Sequence, residues 1–169
     1  MKKILFLFTL CSILFSASAV KAQSPSNYSN YNASQQSPIN WLTDYNSAIA
    51  QSRSTSKPIL ILFTGKNWCP PCMKLERNVI EAEPFARFLG NRLVFLRAEF
   101  PSNTEKSIQA SPYSPLLERY GVNSFPTMVV TDSEGRVLFY VNYQTGGVEA
   151  YVKEIGAKLD QFDRSNSNY

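Results

Sequence analysis

The chain has 169 residues, 44% of them hydrophobic, which suits one ordinary domain with extensions and a real buried core. It contains no histidine, which removes His-based catalysis and His metal ligation. The net charge of +4 owes three units to Lys2, Lys3 and Lys21, and no basic block with interleaved aromatics points to nucleic acid.

Taken in order, Lys2 and Lys3 precede an apolar run from Ile4 to Phe15, and small residues follow at Ala17-Ser18-Ala19 and Val20-Lys21-Ala22. This reads as a signal peptide over 1–22, cleaved after Ala22 or Ala19, because the run is shorter than the ~20 residues that span a bilayer. The chain is therefore expected to be exported, to the periplasm in a Gram-negative bacterium and otherwise to the medium. Cys11 leaves with that segment, so the mature chain keeps Cys69 and Cys72. A shared zinc site in a dimer needs about four ligands and is set aside in favour of no metal.

Residues 23–37 are rich in Ser, Asn, Gln and Tyr and nearly free of aliphatics, which predicts a flexible leader. Its Asn27-Tyr28-Ser29 and Asn32-Ala33-Ser34 triplets match a glycosylation pattern that Asn/Ser-rich sequence produces by chance. The domain is expected over 38–163, with a polar tail over 164–169. Ile39, Trp41, Leu42, Tyr45, Ala48 and Ile49 predict an amphipathic helix over Pro38 to Gln51.

Next, Ile59 to Phe63 is a short, unbroken apolar run that reads as a central strand covered on both faces. It leads through Trp68 to Cys69-Pro70-Pro71-Cys72, after which Met73, Leu75, Val79 and Ile80 predict a helix to about Val79. Two prolines are tolerated in a first turn, where their missing N–H groups had no partner anyway. Cys69 is then near the N-cap, where free amides and the helix dipole favour its thiolate, making it the candidate nucleophile. Cys72, one turn on, is the candidate resolving thiol.

Glu81 to Gly90 predicts a second helical piece with Pro84 in its first turn, and Leu93 to Ala98 a strand beside the first. Pro101 to Ser114 reads as an irregular insertion, with a substrate-shaping role and an idle solvated loop both open, before a helix over Pro115 to Tyr120. Phe125-Pro126-Thr127 introduces a strand Met128 to Thr131, and Asp132-Ser133-Glu134-Gly135 a hairpin turn into a strand over Arg136 to Tyr143. Val148, Tyr151, Val152, Ile155 and Leu159 form the apolar face of a final helix.

Trp68-Cys69-Pro70-Pro71-Cys72 between a buried strand and a helix, with Phe125-Pro126-Thr127 downstream, resembles the thioredoxin superfamily over roughly residues 40–162. The likeness is to secreted bacterial thioredoxin-like proteins and the C-terminal domain of the transmembrane reductase DsbD, with Lys57-Pro58 and Glu76 as part of it. It implies an α/β thioredoxin fold, a central mixed β-sheet flanked by helices, and a redox-active Cys69–Cys72 disulfide needing no further cofactor. It implies a cis Phe125–Pro126 bond packed against the cysteines, with the backbone before it free to pair with substrate. Trp68, Pro70, Pro71, Glu76 and Pro126 are the expected supports of the site, and Phe125 and Pro126 the substrate contacts. The implied partners are disulfide-containing proteins and a separate electron donor such as a membrane reductase, with the chain itself a monomer.

One departure stands out: the aspartate that the family places six residues before the first cysteine is Phe63 here. Proton acceptance from Cys72 then falls to water, to Glu76 on the same helix face, or to another group, while Glu76 also reads as a solvated charge. Arg97 reads as a strand-end cation paired with Glu99 or facing water, or as a cation favouring thiolate. Trp68 reads as a shield for the disulfide and as core. Without a histidine between the cysteines the thiolate is less stabilised than in a strong oxidant, which favours a reductase over an isomerase and an isomerase over an oxidase. A non-enzymatic sensor or partner-binding module is the remaining reading.

Overall fold

The computed structural model describes residues 39–65, 67–142 and 144–166. The expected signal peptide, the expected leader with its two Asn triplets, Cys11 and the last three residues lie outside the described residues.

Ile59–Thr64 forms β2, every residue of it buried, at the centre of a five-stranded mixed sheet ordered β1 (Trp41–Leu42), β3 (Val94–Glu99), β2, β4 (Thr127–Thr131), β5 (Val137–Val141). Val94–Glu99 (β3) runs parallel to it, and Thr127–Thr131 (β4) antiparallel on its other side. An unbroken apolar run is what such a position demands, since both faces are covered. Leu60 and Leu62 join one core cluster, while Ile59, Ile61 and Phe63 join the other, as strand alternation requires. The thioredoxin fold read from the motif is the architecture observed.

The first helix starts later than its periodicity predicts. Trp41–Leu42 is a two-residue strand, β1, parallel to β3, and α1 spans Tyr45–Thr55. Asp44 decides the boundary: its side chain accepts the Ser47 amide at 2.7 Å and caps the helix. Trp41 and Leu42 then serve opposite core faces, as successive strand residues do.

After the cysteines, α2 covers only Pro70–Leu75, and the chain widens into a π-helical turn over Glu76–Ile80, closed by Glu81 N–H to Glu76 O at 2.9 Å. This turn lets Glu76, Val79 and Ile80 all face inward. Glu83–Leu89 is α3, with Pro84 in its first turn as expected.

The stretch 101–114 is not wholly irregular. Glu105–Gln109 forms a short helix, α4, capped by Thr104, which accepts the Ser107 amide, and Ile108 and Tyr113 pack it onto the core. Ser114–Arg119 is α5. The hairpin turn is as read, with Gly135 at φ 74°, and β5 is Val137–Val141. The last helix, α6, runs over Gly147–Asn166 and so takes up the start of the expected polar tail.

Candidate active site

The site is built at the C-terminal end of β2. Cys69 is the N-cap of α2 in an extended conformation, and Pro70 and Pro71 fill the first two helical positions without removing a useful donor. The first amide available is therefore that of Cys72, and it donates to Cys69 Sγ at 3.3 Å. The two cysteines form a disulfide. Their environments differ: Cys69 keeps 4% of its surface exposed, whereas Cys72 is fully buried and its Sγ takes the Gly65 amide at 3.4 Å.

The Phe125–Pro126 bond is cis, and the Phe125 carbonyl oxygen lies 3.8 Å from Cys69 Sγ. Residues 56 positions apart thus meet at one sulfur. Trp68 closes the other side. Its indole N–H donates to Phe100 O at 2.8 Å, and its ring meets Phe125 edge-on at 5.6 Å. The same ring lies so close over Gly65 that a Cβ there would collide with it. Gly65 is thus a site residue that sequence reasoning missed, although a glycine between a buried strand and a cysteine motif is a readable signal of close approach.

Trp68, Cys69, Pro70, Pro71, Cys72, Phe125 and Pro126 therefore assemble as the motif suggested. Glu76 does not behave as a solvated helix charge. Both of its carboxylate oxygens lie 2.7 Å from Arg97 Nη1, with only 12% and 19% of the two side chains exposed. Arg97 accordingly neither pairs with Glu99 nor faces water. Its guanidinium also stacks 4.8 Å from the Trp41 ring, a contact hidden while Trp41 is read as helical. The pair is joined to the motif through the backbone, because Glu76 N–H donates to the carbonyls of Cys72 and Met73. Phe63 is fully buried against Tyr120, with rings 6.3 Å apart, in the core cluster that Leu75 of α2 does not join.

In chemical terms the arrangement offers one sulfur at a helix start that keeps a trace of exposure, a second, fully buried sulfur behind it, and the Phe125 backbone carbonyl beside the first. That is sufficient for two-step thiol–disulfide exchange.

Comparison with known proteins agrees. A family model described as thioredoxin-like matches residues 40–132. Disulfide bond reductase DsbH of Chlamydia pneumoniae is 32% identical over 116 residues, spanning 68% of this chain and 70% of that protein. A solved structure of DsbH oxidoreductase covers 79% of this chain and 96% of its own at a TM-score of 0.63 and 29% identity. The oxidised C-terminal domain of DsbD from Neisseria meningitidis shares the fold, at 0.55 and 14% identity over 70% of this chain and 99% of that one. From the sheet order, the buried cysteine pair and these matches together, the chain belongs to the thioredoxin-like family, as a thiol:disulfide oxidoreductase carrying the Cys69–Cys72 pair.

Proposed function

We propose that the protein is an exported reductase of protein disulfides, acting as a monomer and recharged by a separate dithiol donor. The observation that carries the direction is what surrounds Cys69 Sγ. Among the described residues it accepts one hydrogen bond, from Cys72 N–H, and its other polar neighbour is the Phe125 carbonyl, itself an acceptor. A carbonyl oxygen gives a thiolate no support. The reduced pair is then weakly stabilised, which is the condition for a pair that gives electrons away. The 32% identity to a protein named as a disulfide bond reductase supports the same direction.

Reduced Cys69 attacks a substrate disulfide, forming a mixed disulfide and releasing the first substrate thiol. Cys72 then attacks Cys69 Sγ, the bond to substrate breaks, and the second substrate sulfur leaves as a thiol. Two electrons have passed to substrate, and the donor returns two to the Cys69–Cys72 disulfide. The trace of exposure at Cys69, against the full burial of Cys72, supports these roles. An extended substrate segment beside Phe125 and Pro126 pairs through main-chain bonds, which gives affinity with little sequence selection.

The test is the reduction potential of the mature protein in a thiol redox buffer. A value near about −270 mV supports a reductase, and one near about −120 mV overturns the direction in favour of an oxidant. In parallel, reduction of a soluble protein disulfide must disappear in Cys69→Ser. N-terminal sequencing of the exported protein checks for a start at Gln23 or Val20.

A further inference from the structure

One buried polar side chain, next in the chain to the site, has no task in the exchange just described. Thr64, the last residue of β2, is fully buried, and its Oγ1 has no hydrogen-bond partner among the described residues. Thr131 is in the same condition, but it pairs in register with Ile59 at the opposite end of the strand, far along β2 from the cysteines. Thr64 directly precedes Gly65, whose amide touches Cys72 Sγ.

Several features place the hydroxyl in this setting. Alternation along β2 puts Thr64 on the face of Leu60 and Leu62, the face on which Leu75 of α2 packs. Its own carbonyl accepts the Phe100 amide at 2.8 Å, and Phe100 O accepts the Trp68 indole N–H. Trp68 then lies over Gly65, closing a ring of contacts at this corner. The titratable groups around it are few. Glu76 and Arg97 are engaged with each other, Glu99 of β3 sits beside Thr64 in register, and β4 contributes only Thr127 and Met128 here.

We propose that Thr64 is a positioning residue for Cys72, its hydroxyl becoming the hydrogen-bond partner of that sulfur when the disulfide is reduced. In the disulfide, Cys72 Sγ carries no hydrogen and the Gly65 amide serves it. Reduction adds an S–H in a site closed to solvent, and buried polar groups need partners. A hydroxyl suits both protonation states, because it accepts from a thiol and donates to a thiolate by rotating its O–H. During resolution Cys72 gives up its proton, which ends on the departing substrate sulfur, and its own sulfur forms a bond to Cys69 Sγ. The Cys69–substrate bond breaks, its electron pair departs with the substrate sulfur, and that sulfur takes up a proton. Thr64 holds the thiolate between the first and second of these events.

The inference rests on the disulfide-exchange reading above, but its test needs no substrate. Thr64→Val keeps the shape and removes the hydroxyl, and Thr64→Ser keeps the hydroxyl. In a thiol redox buffer Thr64→Val should shift the equilibrium about tenfold toward the disulfide, the effect of one hydrogen bond lost from the reduced state alone. In a Cys69→Ser background, the ultraviolet titration of the remaining thiol should move up by about one pH unit with Thr64→Val. Thr64→Ser should restore both. The oxidised Thr64→Val protein should melt no lower than the parent, because it loses an unpartnered hydroxyl, and this separates the effect from misfolding. Unchanged equilibrium and titration in Thr64→Val, or no recovery with Thr64→Ser, would overturn the proposal. If instead the parent fails to reduce protein disulfides while these shifts appear, the reductase direction falls and the role of Thr64 stands.

Discussion

Replacing Arg97 with methionine asks what the Glu76–Arg97 pair contributes. The substitution keeps an apolar stem against Trp41 but leaves Glu76 as an uncompensated charge in a largely closed site, its side chain 12% exposed. Breaking a buried pair from one side costs about 3–5 kcal/mol, and the partial exposure of both partners argues for the lower end, about 3 kcal/mol. For a domain of this size that corresponds to a melting temperature lower by roughly 12 °C. Urea unfolding of the oxidised protein measures it without interference from reshuffling. The double variant Glu76→Leu with Arg97→Met should return to within about 1 kcal/mol of the parent, because an apolar pair carries no desolvation penalty. A loss under about 1 kcal/mol in Arg97→Met, or a double variant as damaged as the sum of the singles, would refute the reasoning. The pair would then be a passenger rather than the clamp on the turn that follows Cys72.

Other perturbations separate the supports of the site from those of the fold. Trp68→Phe removes the bond to Phe100 O and should cost about 1 kcal/mol in urea unfolding, whereas Trp68→Ala should cost about 3 and speed reduction of the disulfide by a small thiol. Tyr120 is held above the usual tyrosine range, first by burial and then by its hydrogen bond with Tyr45 at 2.7 Å. Because its folded pKa is raised, its stabilisation is intact below pH ~10 and fades as the solution becomes more alkaline, so the deficit of Tyr120→Phe should close there. Burial pushes Asp132 upward, but the Arg136 amide and guanidinium and the Glu134 amide outweigh it and hold the carboxyl below its usual range. Its contribution is therefore present at neutral pH and lost as pH falls below ~4. Asp132→Ala should destabilise by about 2 kcal/mol at pH 7 and by much less at pH 2.

How much of this was legible follows the range of the forces involved. The cysteine pair, its prolines and β2 were readable because an apolar run, a helix start and a turn are local statements. β1 was not, because two residues owe their strand state to β3, more than fifty positions on, and carry no period of their own. Arg97 was misplaced for a related reason: its partner lies 21 residues earlier, on a π-helical turn for which no residue preference exists. The α4 helix was missed although Thr104 is a sound cap with Ser107 in place, because Glu105–Gln109 holds a single apolar residue, Ile108, and so shows no period. Phe63 was located correctly as a residue, but which face of β2 it serves emerges only from the packing of Tyr120.

The burial of the cysteines has a kinetic consequence. Cys72 is fully buried with its Sγ against the Gly65 amide, which in the proposed mechanism keeps an incoming disulfide or dithiol from its sulfur. In the proposed reductase, substrate and donor both exchange through Cys69, beside the Phe125 carbonyl. They therefore compete for one docking edge and cannot be bound together productively. Turnover must alternate, oxidised enzyme leaving the first half-reaction before the donor engages, which is a ping-pong scheme. Initial rates varied against both partners should give parallel double-reciprocal lines, and each partner at high concentration should inhibit the other. Intersecting lines would mean a ternary complex, and with it a second route to the disulfide that this arrangement of Cys69 and Cys72 denies.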